Sequence, residues 1–379
     1  MTVSTAQSVP SGAPRPRAAV ARVPRYAAGK PPRPVPGLES YKLSSNENPF
    51  PPLPEVLAAV CAHEWANRYP DPTAAPLREA IAEFLEVPAE DIVTGTGGLG
   101  ALTQILMTFA GAEAGDTGEA SEVVYPWRSF EAYPICVGLT GARSVPVPLA
   151  PDGRIDLAAM ADAITERTSV ILLCSPNNPT GPALHTAETE VFLAQVPSDV
   201  VVVLDEAYLE FIRDADAVDG LQLYRKYPNV VLLRTFSKAY GLAGMRVGYS
   251  ISHPELTQYL RIAAPPFAVT VSAQQAAIES LKLSAKITER INQLVWERDR
   301  VYQGLRGLGW GVPEPQGNFL WLEFGQGSAD FAQQAEQQGL AVRAFPGEGV
   351  RVSIGESAAN TRFLELCASL DPSLTAGLR

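Results

Sequence analysis

DVVVVLDEAY (199–208) decides the fold. Five consecutive residues, Val200 to Leu204, are apolar, and an acidic pair follows at once. A strand with one wet face alternates apolar and polar residues; a run apolar throughout belongs to a strand covered on both faces. Six further β-type runs share the chain with it: DIVTGT (91–96), EVVYPW (122–127), ARSVPVPL (142–149), TSVILLCS (168–175), NVVLLRTF (229–236) and RVGYSIS (246–252). Helix-like segments such as TAAPLREAIAEFLE (73–86) lie between most of them. This alternation predicts an α/β layered domain on a mostly parallel sheet. Ligands of such sheets collect at the carboxyl ends of the strands, where Asp205 stands.

The pattern changes after about residue 265. A long helical stretch (272–309) precedes short strands such as NFLWLEF and VRVSIG, which read as a second, smaller α+β domain. We therefore expect a flexible N-terminal tail and arm (1–38), an N-terminal part of the small domain with dimer contacts (39–70), a large domain (71–265) and a C-terminal small domain (266–379). The first 38 residues hold Pro, Ala and Arg but no Asp or Glu. An acid-free leader can be a transit peptide, but the prolines oppose an amphipathic helix, so an extended arm is the preferred expectation.

Composition narrows the function. The 379 residues are 46% hydrophobic and 19% charged, as in ordinary globular proteins. A net charge of -11 disfavours nucleic acid, and no apolar run approaches a membrane span. The four cysteines form no C-x-x-C pair and the three histidines are scattered, so neither a metal site nor a disulfide framework is expected, and a cytoplasmic location is.

GTGGLG (95–100) matches G-x-G-x-x-G between a strand-like and a helix-like segment. A dinucleotide site would also need an acid at the end of the next strand, for the ribose. That run ends VVYPW, and the nearby acids Glu119 and Glu122 precede it. The turn can still bind phosphate, because glycines allow close backbone approach and the helix N-terminus stabilises an anion.

RTFSKAYGLAGMRVGY (234–249) carries the most chemistry. Lys238 follows a buried-type run, with a hydroxyl before it (Ser237) and Arg246 eight residues later. Such groups suit a phosphate, and a lysine beside a cation in a partly dry site has a lowered pKa and can condense with an aldehyde. Pyridoxal 5'-phosphate (PLP) offers both. Its ring nitrogen needs an acidic partner, which Asp205 can supply. Tyr208, and Asn178 in SPNNPTG, could donate to the phenolic oxygen. Singly, each feature has a plain structural reading: a turn, a strand-end cap, a surface lysine.

Together they are specific. PNNPTG, then DEAY (Asn178 to Asp205, 27 residues), then SK (Asp205 to Lys238, 33 residues) resembles fold-type I PLP-dependent aminotransferases, in the branch of the histidinol-phosphate and aromatic amino acid enzymes. The resemblance runs from about residue 24 and includes NENP (46–49), RYPD (68–71), SFEAY (129–133), NFLW (318–321) and RVSIG (351–355). It implies a seven-stranded, mostly parallel sheet and a homodimer with shared sites. It assigns the amides of Gly98 and Leu99, with Ser237 and Arg246, to the cofactor phosphate. It puts Phe130 on the cofactor ring, Tyr69 at the neighbouring subunit's phosphate, Arg351 on the substrate carboxylate and Arg343, a second arginine, near the substrate end. Histidinol-phosphate enzymes usually follow the glycine turn with acids, where this chain has Leu99 and Gly100. WRSFEAYP and RIAAPPFAVTVSAQQAA (261–277) look closer to the aromatic, phenylalanine-type enzymes, with 2-oxoglutarate as the second substrate. Histidinol phosphate stays as the alternative. A fold that has lost catalysis, another PLP reaction and a dehydrogenase are the remaining readings.

Overall fold

A computed structural model describes residues 16–62, 67–112 and 119–370. Parts of the expected tail and of the C-terminal domain, and His63 with its neighbours, lie outside the described residues. Eleven strands follow in chain order: β1 (Tyr41–Leu43), β2 (Ile92–Thr96), β3 (Glu122–Trp127), β4 (Arg143–Pro148), β5 (Thr168–Cys174), β6 (Val201–Asp205), β7 (Val230–Thr235), β8 (Val247–Ile251), β9 (Phe319–Leu322), β10 (Leu340–Phe345) and β11 (Gly349–Ser353).

The seven runs read from the sequence form one sheet, ordered β2-β8-β7-β6-β5-β3-β4. β3 to β7 and β4 pair in parallel, and β8 runs antiparallel to both β7 and β2. The central β6 is buried at every residue, which is why its sequence does not alternate. β4, at the edge, is mostly exposed and tolerates Pro146 and Pro148, since an edge strand need not donate on its open side.

Because β8 is antiparallel to its neighbours, its first residue lies at the same sheet edge as the last residues of the others. The turns after β2, β3, β5, β6 and β7 and the residue before β8 therefore converge. There Gly98 lies in the first turn of the helix after β2, Phe130, Asn178 and Lys238 lie in turns, Asp205 ends β6, and Arg246 precedes β8.

A second sheet is ordered β1-β10-β11-β9, with β1 parallel to β10 although some 300 residues separate them. Arg351 on β11 lies between Arg343 on β10 and Trp321 on β9. The expected single helical stretch is two helices, Val271–Lys282 and Ser284–Gly307. Leu283, at φ -95° and ψ 22°, departs from helical geometry and breaks the run, which hydrophobic periodicity does not reveal.

The arm is described from residue 16 onward. Ala18–Arg22 is a short helix, Arg17 donates to the Leu139 carbonyl, and Arg343 Nη2 donates to the Ala27 carbonyl at 2.6 Å. The described arm thus lies along its own chain.

Candidate active site

A cavity of about 290 Å³ opens at the converging strand ends of the large sheet, closed on its other side by Tyr26, Ser45 and Glu47. Gly98, Leu99, Phe130, Asn178, Asp205, Tyr208, Ser237, Lys238 and Arg246, all singled out in the sequence, line it.

One end is built for an anion. The helix Gly97–Phe109 points its N-terminus there, and the amides of its first turn have no partner within the helix. Gly97 has φ +78°, and a Cβ on it would run into the Arg246 guanidinium. Only glycine lets the turn and the arginine share this space. Thr235 Oγ1 donates to Ser237 Oγ at 2.9 Å, and Arg246 Nη1 reaches the same hydroxyl at 3.3 Å.

Lys238 enters from the turn after β7. Its Nζ donates to the Ser45 carbonyl at 3.1 Å and lies 5.7 Å from the Tyr208 ring centroid. Burial, reinforced by the Arg351 and Arg246 cations, lowers its pKa to about 7. Asp205 closes the far wall. Desolvation raises its pKa to about 6, against the pull of the Tyr133 hydroxyl and the Ala207 amide. Tyr208 is buried and stays protonated, and its hydroxyl accepts from Asn46 Nδ2 at 2.9 Å.

Arg351 sits behind this wall rather than on it. Nη1 donates to Asn178 Oδ1 at 2.6 Å and Nη2 to the Ser44 carbonyl at 2.8 Å, while the buried Nε has no partner among the described residues. Asn178 therefore spends its oxygen on Arg351, which leaves its amide N–H groups for the cavity. Arg343 lies farther out, in an ion pair with Glu131 at 2.7 Å. Tyr69 is 82% exposed, packs on Phe267 at 4.7 Å and does not line this chain's cavity.

Several groups were missed. Tyr133 donates to Asp205 Oδ2 at 2.9 Å, Asn46 bridges Tyr208 and Ser353, and Tyr26 of the arm lines the cavity. Arg234, which also lines the cavity, forms a buried ion pair with Glu206 at 2.7 Å. SFEAY and NENP marked Tyr133 and Asn46 as parts of a pattern, but nothing in either motif names the hydrogen-bond partner. Among the described residues no helix is long and apolar enough to cross a membrane, and no cluster of His, Cys, Asp and Glu could hold a metal.

A near-neutral lysine facing a buried carboxylate, with an anion cradle at the switch point of an open α/β sheet, is transaminase architecture. The family described as aminotransferase class I and II matches residues 39–366. The chain belongs to that family and is an aminotransferase. It is 52% identical over 354 residues to an aromatic amino acid aminotransferase of Streptomyces coelicolor, covering 93% of this chain and 96% of that protein. A protein of the same name from Thermobifida fusca is 50% identical over 92% of this chain and 95% of its own length. Among solved structures, histidinol-phosphate aminotransferase from Sinorhizobium meliloti, in complex with pyridoxal-5'-phosphate, superposes with a TM-score of 0.77 at 28% identity, covering 90% of this chain and 92% of that one.

Proposed function

We propose that the chain uses PLP to transfer the amino group of phenylalanine- and tyrosine-type amino acids to 2-oxoglutarate, as a cytoplasmic homodimer with shared sites. The observation that carries the reading is the meeting of Lys238, Asp205 and the Gly97–Arg246 cradle around one cavity. Their chemistry fits the cofactor's three demands: an amine for an aldehyde, an acid for a ring nitrogen, and amides, a hydroxyl and a guanidinium for a phosphate. The aromatic substrate rests on the names of the relatives at 50–52% identity. Leu99 and Gly100, in place of acids, also speak against histidinol phosphate.

When bound, PLP supplies the carbonyl that takes up the amino group and a ring that draws electrons from the substrate Cα. The first-turn amides of Gly98 and Leu99, the Ser237 hydroxyl and the Arg246 guanidinium hold the phosphate. Asp205 accepts the ring N–H and keeps that proton in place, Phe130 covers the ring, and Tyr208 and Asn178 donate to the phenolic oxygen. Lys238, about half neutral at pH 7, would move the proton between the substrate Cα and the cofactor's C4′. The resemblance assigns Arg351 to the substrate carboxylate, which its guanidinium reaches by leaving Asn178 and Ser44 and turning into the cavity. Arg343 is the second arginine near the substrate end, and Tyr69 serves the partner subunit's phosphate. Rates with phenylalanine and with histidinol phosphate, each paired with 2-oxoglutarate, test the assignment; faster turnover of histidinol phosphate would overturn the substrate half.

A further inference from the structure

Tyr133 is fully buried, yet it carries a polar hydroxyl, so that hydroxyl must have a partner. The partner is Asp205 Oδ2 at 2.9 Å. The other oxygen, Oδ1, accepts the Ala207 amide at 3.1 Å. The Tyr133 ring also meets Phe130 edge to face, with centroids 5.7 Å apart and planes at 83°. One side chain thus touches both the residue facing a cofactor nitrogen and the residue covering the ring. It can do so because it opens the helix Tyr133–Thr140, directly beyond the loop that carries Phe130. That loop is fastened separately, by Ser129 Oγ donating to Asn177 Oδ1 at 2.7 Å.

We infer that Tyr133 is the positioning residue of the ring slot, donating a hydrogen bond that keeps Asp205 ionised and aimed at the cofactor nitrogen while its edge sets the tilt of Phe130. The inference rests on the reading of the cavity as a PLP site. A carboxylate sunk in this wall loses its hydration, and a hydrogen bond to the ionised form offsets that loss. The charged and titratable groups around Asp205 are few. Cys174 lies opposite on β5, Glu206 follows in the chain, Tyr208 is three residues on, and Lys238 faces it from the turn after β7. Glu206 disfavours the carboxylate and Lys238 favours it, while burial and Asp205 itself push Cys174 and Tyr208 up so that both stay neutral beside it. The Tyr133 hydroxyl is the largest influence holding it ionised, and its own pKa is driven up by burial, so it remains a donor throughout the working range.

Tyr133→Phe keeps the edge contact and removes only the hydroxyl. The test is the PLP dissociation constant of full-length wild type and variant, followed by tryptophan fluorescence from pH 5 to pH 8. At pH 8 Asp205 is ionised in both, and the two constants should agree within about twofold. As pH falls through about 6 the variant protonates first, and its constant should rise to about tenfold that of the wild type, the effect of about one pKa unit. A merely structural role would weaken binding by the same factor at every pH. A ratio that stays flat across the range, whatever its size, overturns the inference. If the wild type itself takes up no PLP, the reading beneath it falls and takes the inference with it; a wild type that binds beside a variant that binds equally well overturns the inference alone.

Discussion

The amine of Lys238 should capture PLP with an acid limb near pH 7. An ordinary lysine titrates at 10.5, and burial with the neighbouring Arg351 and Arg246 brings this one to about 7. At pH 7 about half of the amines are then neutral, against roughly one in 3,000 for a solvated lysine. Only the neutral amine attacks an aldehyde, so capture at neutral pH should run about three orders of magnitude faster than on a surface lysine. The assay is stopped-flow absorbance of the apoprotein mixed with PLP between pH 5.5 and pH 9. Arg351→Gln supplies the internal check. It removes a cation while leaving an amide able to reach Asn178, so the limb should move upward. It should stay below 10.5, because burial, the larger cause, is untouched. A wild-type limb near 10, or a downward shift in the variant, would refute the electrostatic account.

Three further outcomes follow from the same geometry. Lys238→Met should stabilise the apoprotein, by roughly 2–4 kcal/mol after allowing for the partial exposure of the side chain. The cost of burying the ammonium is fully present below pH 7 and is relieved as pH rises toward 10.5, so the gain, read by chemical denaturation, should shrink over that window. Arg234→Met leaves Glu206 charged and buried without its partner and should cost about 3–5 kcal/mol; replacing Glu206 by Leu in the same chain should recover much of that loss, as measured by denaturant midpoint. Gly97→Ala forces a side chain into left-handed backbone and into the Arg246 guanidinium. Its dissociation constant for PLP should rise by about tenfold or more, measured by equilibrium dialysis.

The large sheet was legible because its strands are covered on both faces. Runs such as Val200–Leu204 have no other use for so many adjacent apolar residues, and all seven runs proved to be strands of one sheet. The positions of Lys238, Asp205 and Gly98 at a single edge followed from the same pattern, since each ends or follows a strand. What escaped were contacts made across long separations. Tyr133 and Asp205 are 72 residues apart, and Arg351 reaches Asn178 across 173; each looks plain until the fold joins them. The break at Leu283 escaped for a different reason, because the residues on both sides favour helix and no glycine or proline marks it. The ion pair of Arg343 with Glu131 escaped for the first reason, since 212 residues lie between them.

The account turns on Lys238, the lysine that lines the cavity and faces Asp205. Borohydride reduction of the PLP-loaded protein, followed by digestion and mass analysis, asks which lysine carries the cofactor. The account predicts a pyridoxyl group on the peptide containing Lys238 and none elsewhere. A labelled peptide lacking Lys238, or no label on a protein that retains aminotransferase activity, would contradict it.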